Sequence, residues 1–148
     1  MSQDSVVIRP ATSSDADQMW PLVEVFAVSY RPNRSDFERS FGELIERCDT
    51  LVLVAETPNA IVGYLLASHH GTFFANGPVA WVEELMVRES VRRQGIATRL
   101  MDSAETWAEG IPTAYLALAS RRAADFYLRV GYQESATYFR KTFVPPQA

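Results

Sequence analysis

The amino-acid sequence predicts an α/β protein in which a mixed β-sheet is flanked by helices. Short β-rich runs alternate along the chain with longer segments whose apolar residues recur at helical spacing. Their order, in which a group of strands precedes two strand–helix units and a last strand, is typical of a mixed sheet covered by helices. The chain has 148 residues, of which 47% are hydrophobic, so we expect a single domain, residues 1–148, with one compact core.

The N-terminal part of the chain predicts a strand followed by two helices. The first strand covers residues 5–10 and ends at Pro10, and residues 12–30 open with side chains that favour helix N-caps. Pro21 should kink or restart this helix, because proline lacks the backbone N–H that a helix interior needs. A second helix is expected over residues 35–47.

The rest of the chain predicts a hairpin, two strand–helix units and a C-terminal strand or pair of strands. β-branched and aromatic residues indicate the strands, and Gly or Pro indicates the turns between them. We expect strands at 50–56, 60–68, 79–87 and 113–120, a loop at 69–78, helices at 95–108 and 121–130, and one or two strands within 132–143. The expected sheet therefore has six to seven strands, with about four helices around it.

Composition narrows the classes of function. The net charge of -4 disfavours a nucleic-acid binder, which normally presents excess positive charge to phosphates. No segment approaches the roughly 20 apolar residues that cross a bilayer, and no secretory signal is apparent. We therefore expect a soluble cytoplasmic protein without nucleic-acid or membrane partners. Cys48 is the single cysteine, and no Cys/His cluster has metal-ligand spacing, so no metal site is expected.

Positive charge is concentrated where the third predicted helix begins. Arg92 and Arg93 precede Gly95, and a helix N-terminus offers unpaired N–H groups and the positive end of the helix dipole. Two arginines are unfavourable at this end unless an anion binds there, and Gly95 has no side chain to block its approach. The pattern favours a polyanion site such as a diphosphate site. The simpler alternative is a solvated turn that contains a glycine.

Two carboxylates lie in the middle of the apolar fourth strand. Glu83 and Glu84 are adjacent, so only one of them should face a given side of the sheet unless a β-bulge changes the alternation. A carboxylate here could accept a proton from an alkylamine, whose pKa is about 10.4. The alternative is a solvent-facing pair that the strand merely tolerates.

A second motif is found in SRRAADFYLRVGY, residues 120–132. On a helix, Tyr127 shares one face with Ala123, Phe126 and Val130, and Gly131 suits a left-handed position at the helix end. Tyr127 is a candidate proton donor. The alternative is a core tyrosine whose hydroxyl group is hydrogen-bonded within the protein.

Together these residues resemble the GNAT superfamily of N-acetyltransferases, most specifically over residues 81–132. In that family an R/Q-x-x-G-x-G/A loop binds the pyrophosphate of acetyl-CoA, and the fourth strand splays from the fifth and pairs with the pantetheine arm. The resemblance implies that acetyl-CoA contacts Leu85, Met86, Val87, Arg92, Arg93, Gln94, Gly95, Ile96, Ala97, Thr98 and Ser120. Ser120 stands where the family often has asparagine.

The resemblance implies direct transfer of acetyl from acetyl-CoA to a primary amine of a small molecule or peptide. Glu83 would accept the amine proton, Glu84 would help hold the cation, and Tyr127 would assist the departing thiolate. The Val87 N–H would polarise the carbonyl group. The main alternative is a non-catalytic acyl-CoA-binding module, which could dispense with Glu83 and Tyr127. A homodimer paired through the C-terminal strands is a further expectation from the family.

Other classes of protein fit the sequence less well. A toxin that acetylates charged transfer RNA would be expected to carry a basic face, which the acidic balance disfavours. A simple nucleotide-binding protein would more typically contain a G-x-x-x-x-G-K-[ST] loop, and the sequence has none.

Overall fold

The computed structural model describes residues 5–146, which form one mixed sheet. The strands are β1 (Val7–Pro10), β2 (Thr50–Glu56), β3 (Ile61–Gly71), β4 (Pro78–Val87) and β5 (Leu116–Leu118). They lie side by side in chain order. β1 to β4 pair antiparallel, and β5 pairs parallel to β4. The predicted mixed sheet is confirmed.

Four helices accompany the sheet in the described part of the chain, as the sequence predicts. They are α1 (Ala16–Phe26), α2 (Arg34–Ile45), α3 (Ile96–Gly110) and α4 (Ala124–Arg129). α2 begins after Asn33, whose side chain accepts a hydrogen bond from the backbone N–H of Asp36 and so caps the helix. Among residues 5–146, no helix has the length and apolar composition needed to cross a membrane.

The sheet separates two clusters of buried side chains. The cluster on the α3 side includes Leu65 and Val82 from the sheet and Leu100 from the helix. The cluster on the other side joins Met19 of α1, Phe41 of α2 and Tyr64 of β3. Both faces of the central strands are therefore buried, which explains the nearly continuous apolar runs that predicted them.

The prediction of six to seven strands is wrong, because the described sheet has five. Residues 132–143 form no strand, and no backbone–backbone hydrogen bond joins the described residues 133–146 to the rest of the chain. Tyr138 is 59% exposed and Phe139 is 86% exposed. A β-rich composition produces a strand only where a neighbouring strand pairs with it, and this segment pairs with no strand among the described residues.

Other predictions of element bounds also change: the strand expected at 113–120 is limited to Leu116–Leu118, and the helix expected at 121–130 to Ala124–Arg129. α1 runs without interruption through Pro21, because Met19 and Leu22 are buried against the sheet and this packing outweighs the loss of one helical hydrogen bond. The helix ends at Phe26 rather than near residue 30. β3 extends to Gly71, so the strand covers the beginning of the predicted loop.

Candidate active site

A β-bulge lies in the middle of β4. Leu66 of β3 is paired with Glu84, and the next residue, Ala67, is paired with Val82. Glu83 is therefore the extra residue of the bulge. A β-bulge was the one condition under which the alternation of the two glutamates was expected to change. Because Val82 and Glu84 pair with adjacent residues of β3, they lie on opposite faces of the sheet.

The two glutamates consequently have different environments. Glu83 is exposed. Glu84 lies on the α1 and α2 side, where its Oε1 accepts a hydrogen bond of 2.7 Å from the Tyr64 hydroxyl group. Burial raises the pKa of the Glu84 carboxyl above its usual range, the hydrogen bond from Tyr64 lowers this pKa in part, and the nearby charge of Glu83 raises it.

The outer edge of β4 is unpaired beyond the bulge. β5 pairs with β4 only at residues 80–82. The Arg88 N–H donates to the Val62 carbonyl group at 2.7 Å, and alternate residues of an antiparallel strand turn their N–H groups to the same side. The Met86 N–H therefore also faces β3, whereas the N–H groups of Leu85 and Val87 face the unpaired edge.

The N-terminus of α3 lies beyond this edge of β4. Gly95 precedes the helix with φ 81°, in the left-handed region, where a residue with a side chain would be strained. The first helical hydrogen bond runs from the Arg99 N–H to the Gly95 carbonyl group, so the N–H groups of residues 96–98 have no partner in the helix. The first turn contains no acidic residue and no side chain caps the helix.

The loop before α3 is attached directly to the second half of β4. The Nε of Arg92 donates to the Val87 carbonyl group at 2.9 Å, and an NH2 group of Arg92 lies 3.8 Å from the Met86 sulfur. Arg93 has φ 65°, an uncommon conformation for a residue with a side chain. The loop is therefore a specific turn, and its attachment places predicted residues 85–87 beside predicted residues 92–98.

Tyr127 and Ser120 lie around α4. Tyr127 is half-buried against the α3 side of the sheet and makes edge contacts with the rings of Phe126 and Tyr132. Burial raises the pKa of the Tyr127 hydroxyl group, so the group keeps its proton at neutral pH. The Ser120 Oγ accepts a hydrogen bond from the Ala123 N–H at 3.0 Å, which gives Ser120 a local structural contact. Tyr127 and Glu84 thus lie on opposite faces of the sheet.

The sequence analysis missed Tyr64. Its hydroxyl group is the partner of Glu84, and its side chain is 2% exposed. The signal was the tyrosine itself, because a buried tyrosine in an apolar strand usually needs a hydrogen-bond partner. Correct pairing of the predicted hairpin with the fourth strand, bulge included, would have placed the two side chains on one face.

Two cavities differ in their relation to these residues. A pocket of about 90 Å³ lies between α1, α2 and the sheet and is lined by both Tyr64 and Glu84. A larger, open depression of about 450 Å³ is formed by β1 and the outer face of α3 and includes neither glutamate. The smaller pocket is the one that contains candidate chemistry.

The acetyltransferase (GNAT) domain model matches residues 48–134, the segment that contains β2, β3, β4, α3, β5 and α4. This chain belongs to the GNAT acetyltransferase family. No curated protein matches the sequence significantly. The five-stranded sheet is thus a variant of the GNAT fold, and the resemblance read from residues 81–132 is confirmed at the level of the family.

Solved structures agree with this fold. A transcriptional regulator from Bacillus halodurans is 23% identical with a TM-score of 0.85, covering 93% of this chain and 99% of its own. Glucosamine-6-phosphate N-acetyltransferase from Arabidopsis thaliana is 18% identical with a TM-score of 0.84, covering 94% and 99%. An aminoglycoside N-acetyltransferase in complex with CoA is 16% identical with a TM-score of 0.82, covering 94% and 95%. At these identities the likeness establishes the fold of the GNAT domain.

Proposed function

We propose that this GNAT domain is an acetyl-CoA-dependent N-acetyltransferase that acetylates a primary amine. The observation that carries the proposal is the second half of β4, which contains the partly buried Glu84, is attached to an uncapped helix N-terminus, and has no strand at its outer edge among the described residues. Similar structures include enzymes named for glucosamine-6-phosphate and aminoglycosides as substrates, and one was solved with CoA. Acetyl-CoA would supply the acetyl group as a thioester.

The residues around the start of α3 fit a diphosphate. Three backbone N–H groups, of residues 96–98, are without helical partners, and Gly95 keeps side-chain atoms away from them. Ile96 is 2% exposed, so it can contribute its N–H group but not its side chain. Arg92 and Arg93 add positive charge, which the absence of acidic residues in the first turn leaves uncompensated.

The unpaired edge of β4 fits an amide-bearing chain such as pantetheine. Leu85 and Val87 direct their N–H groups to this edge, and the Val87 carbonyl group is already bonded to Arg92. The Val87 N–H then remains as a preorganised donor for the carbonyl oxygen on which negative charge develops. Met86 supports the edge from inside the sheet, since its side chain is only 6% exposed.

The glutamates and Tyr127 fit the proton transfers that amine acetylation needs. An alkylammonium has a pKa of about 10.4 and must lose a proton before it can attack. Glu84, whose pKa burial raises, would accept this proton on the α1 and α2 side, while exposed Glu83 would act through water. Tyr127, protonated on the other face, would donate to the thiolate.

We also propose that the protein forms a homodimer through its C-terminal segment. β5 is an edge strand. Residues 133–146 of the same chain form no helix or strand and, among the described residues, make one hydrogen bond to another segment, which the Tyr30 hydroxyl group donates to the Val144 carbonyl group. In a homodimer, the C-terminal segment of one copy would pair with the open edge of β5 in the other copy. Light scattering on the purified chain measures the mass.

Calorimetry with acetyl-CoA, followed by a thiol-release assay across primary amines, tests the enzyme proposal. We expect saturable binding that Gly95→Ala weakens at least about tenfold, since the added Cβ is strained in the left-handed region and crowds the anion site. Gly110→Ala, at the other end of α3 where a Cβ meets nothing within 4 Å, is the matched control. Absence of binding to any acyl-CoA overturns the proposal, and binding without turnover of any amine favours the non-catalytic module.

A further inference from the structure

The pocket that contains Glu84 is apolar almost throughout. It has a volume of about 90 Å³ and is lined by side chains from α1, α2 and the sheet, among them Met19, Val23, Phe41, Leu44, Val52 and Leu66. Its polar side chains are Ser40, Tyr64 and Glu84, and Glu84 is the only ionisable acid among them. A single carboxylate in an apolar cavity selects a ligand with one positive charge and an apolar body.

The volume limits the shape of that ligand. At about 90 Å³ the cavity is small beside ligand pockets of about 300–1,000 Å³, so only a narrow group can enter it. An unbranched alkyl chain of a few carbons fits this space, and its methylene groups would contact side chains that offer no hydrogen bonds. A hydroxyl-rich ring would be too wide, and its hydroxyl groups would lose hydrogen bonds to water without replacement.

Glu84 connects this pocket to the unpaired edge. Its side chain lines the pocket, while its backbone immediately precedes Leu85, whose N–H faces the edge where the pantetheine arm is proposed to lie. An amine held by Glu84 is therefore adjacent to the half-strand that would position the thioester.

We propose that the acceptor is a primary amine at the end of a slender, unbranched alkyl chain, received by Glu84 in this pocket, with Tyr64 as the residue that positions the carboxylate. This inference rests on the acetyltransferase function proposed above and names its acceptor. It departs from the sugar amines for which several similar structures are named.

Tyr64 acts through Glu84 and has no contact with the reacting atoms in this scheme. Its hydroxyl group engages Oε1 at 2.7 Å, so Oε2 is the oxygen assigned to the amine proton. Its place in β3 and a contact with α1 hold the tyrosine in position, since its ring packs edge-on against Phe26 with the ring centroids 6.4 Å apart. The carboxylate is thereby fixed before the amine arrives.

The transfer of atoms and protons is balanced. A proton passes from the alkylammonium to Oε2 of Glu84, which breaks an N–H bond and forms an O–H bond. The amine lone pair then forms a C–N bond with the thioester carbonyl carbon, and the C–S bond breaks with its electron pair leaving on sulfur. The second amine proton neutralises the thiolate by way of Tyr127, and Glu84 releases its proton to solvent.

A set of small amines tests the shape of the acceptor with the purified full chain. We expect kcat/KM for n-butylamine and n-hexylamine to exceed that for tert-butylamine and glucosamine by at least about tenfold, the scale on which apolar pockets discriminate by shape. If glucosamine is acetylated as fast as n-butylamine or faster, the inference is wrong, whereas the acetyltransferase proposal is unaffected.

Two variants of α2 test the pocket itself. Ser40 and Glu43 are both exposed on this helix, but only Ser40 lines the pocket. We expect Ser40→Leu to raise KM for n-hexylamine about tenfold with unchanged acetyl-CoA affinity, and Glu43→Leu to change neither. Equal effects of the two substitutions contradict the assignment of the pocket.

Tyr64→Phe tests whether Tyr64 positions the Glu84 carboxylate, because the pH profile of the reaction should not respond to a change in packing alone. The hydrogen bond from Tyr64 lowers the pKa of Glu84, against burial and the charge of Glu83, which raise it. Removal of the hydroxyl group therefore shifts the acid limb of kcat/KM for n-butylamine to higher pH. If the acid limb of kcat/KM stays at the same pH in a folded variant, the proposed role of Tyr64 is wrong.

Calorimetry of n-hexylamine without acetyl-CoA separates this inference from the proposed function. We expect saturable binding that is lost in Glu84→Gln, whether or not the protein binds acyl-CoA. Binding that persists in Glu84→Gln, or absence of binding to the wild-type chain, overturns the acceptor assignment. Failure of acetyl-CoA to bind would instead overturn the function.

Discussion

The two halves of β4 belong to one strand but have different neighbours at their outer edge. Residues 78–82 lie between β3 and β5, and their side chains Val79, Ala80 and Val82 are at most 5% exposed. Residues 84–87 are paired with β3 alone. The bulge at Glu83 separates the two halves, so the change of side-chain direction and the loss of the second neighbour occur at the same residue.

This difference shows how one strand can contribute to both the core and the site. In the first half, pairing on both edges satisfies the backbone and buries the side chains, so nothing is available to a ligand. In the second half, backbone donors of Leu85 and Val87 are free of strand partners, and Glu84 is directed into a pocket. A short β5 is therefore a requirement of the proposed site, because a longer parallel strand would occupy the edge.

The largest expected effect is on stability, and it should differ between substitutions in the two halves of β4. Val82→Asp places an unpaired charge among the buried side chains on the α3 side, and we expect a loss of more than about 4 kcal/mol in the free energy of unfolding. Urea unfolding followed by circular dichroism measures it. Glu83→Gln, one residue on and exposed, should stay within about 0.5 kcal/mol of wild type. A folded, stable Val82→Asp variant would contradict the division of β4.

An effect of intermediate size is expected at Gly63, where β3 lies close to the backbone of the second half of β4. A Cβ at Gly63 would lie 2.9 Å from the Met86 carbonyl oxygen, so Gly63→Ala should displace β4 next to Val87 and cost about 1–3 kcal/mol. It should also weaken acetyl-CoA binding in calorimetry. Gly71→Ala, in the same strand where a Cβ meets nothing within 4 Å, is the matched control. Similar binding by both variants would indicate that this half of β4 is not the cofactor edge.

The smallest expected effect on stability concerns Glu84 and depends on pH. Its pKa is raised in the folded state, so at pH values above the usual glutamate range the folded protein retains a proton that the unfolded chain has lost. Stability of the wild type therefore falls as pH rises through that window. Glu84→Gln has no such loss and should gain in relative stability with rising pH, while turnover falls roughly 10²-fold to 10⁴-fold. A pH-independent stability difference in urea unfolding would be inconsistent with a buried, titrating Glu84.

Much of the fold was predictable because its signals are local. Apolar runs with turn residues between them predicted β2, β3 and β4, and helical spacing after Gly95 predicted α3. The C-terminal strands were predicted from the same kind of signal and are absent from the described structure, in which residues 133–146 make no backbone–backbone hydrogen bond to another segment.

The candidate site was predictable in part for the same reason. Gly95 and the arginines before it indicate an anion site through backbone geometry and charge, which are properties of consecutive residues. Tyr64 was missed, since its role depends on the pairing of two strands and on a bulge that shifts the register by one residue. The assignments of Glu83, Glu84, Tyr127 and Ser120 to catalysis or cofactor binding stay predictions.

The sequence by itself determined the kind of elements, the family, and the chemistry available at the start of α3, because period, charge and glycine act over a few neighbouring residues. Only the tertiary structure decided which glutamate is partly buried, that Tyr64 donates a hydrogen bond to it, and that no described strand pairs with the outer edge of β4 beyond Val82. These facts depend on contacts between residues far apart in the chain, and a one-residue change in strand register would have reversed them.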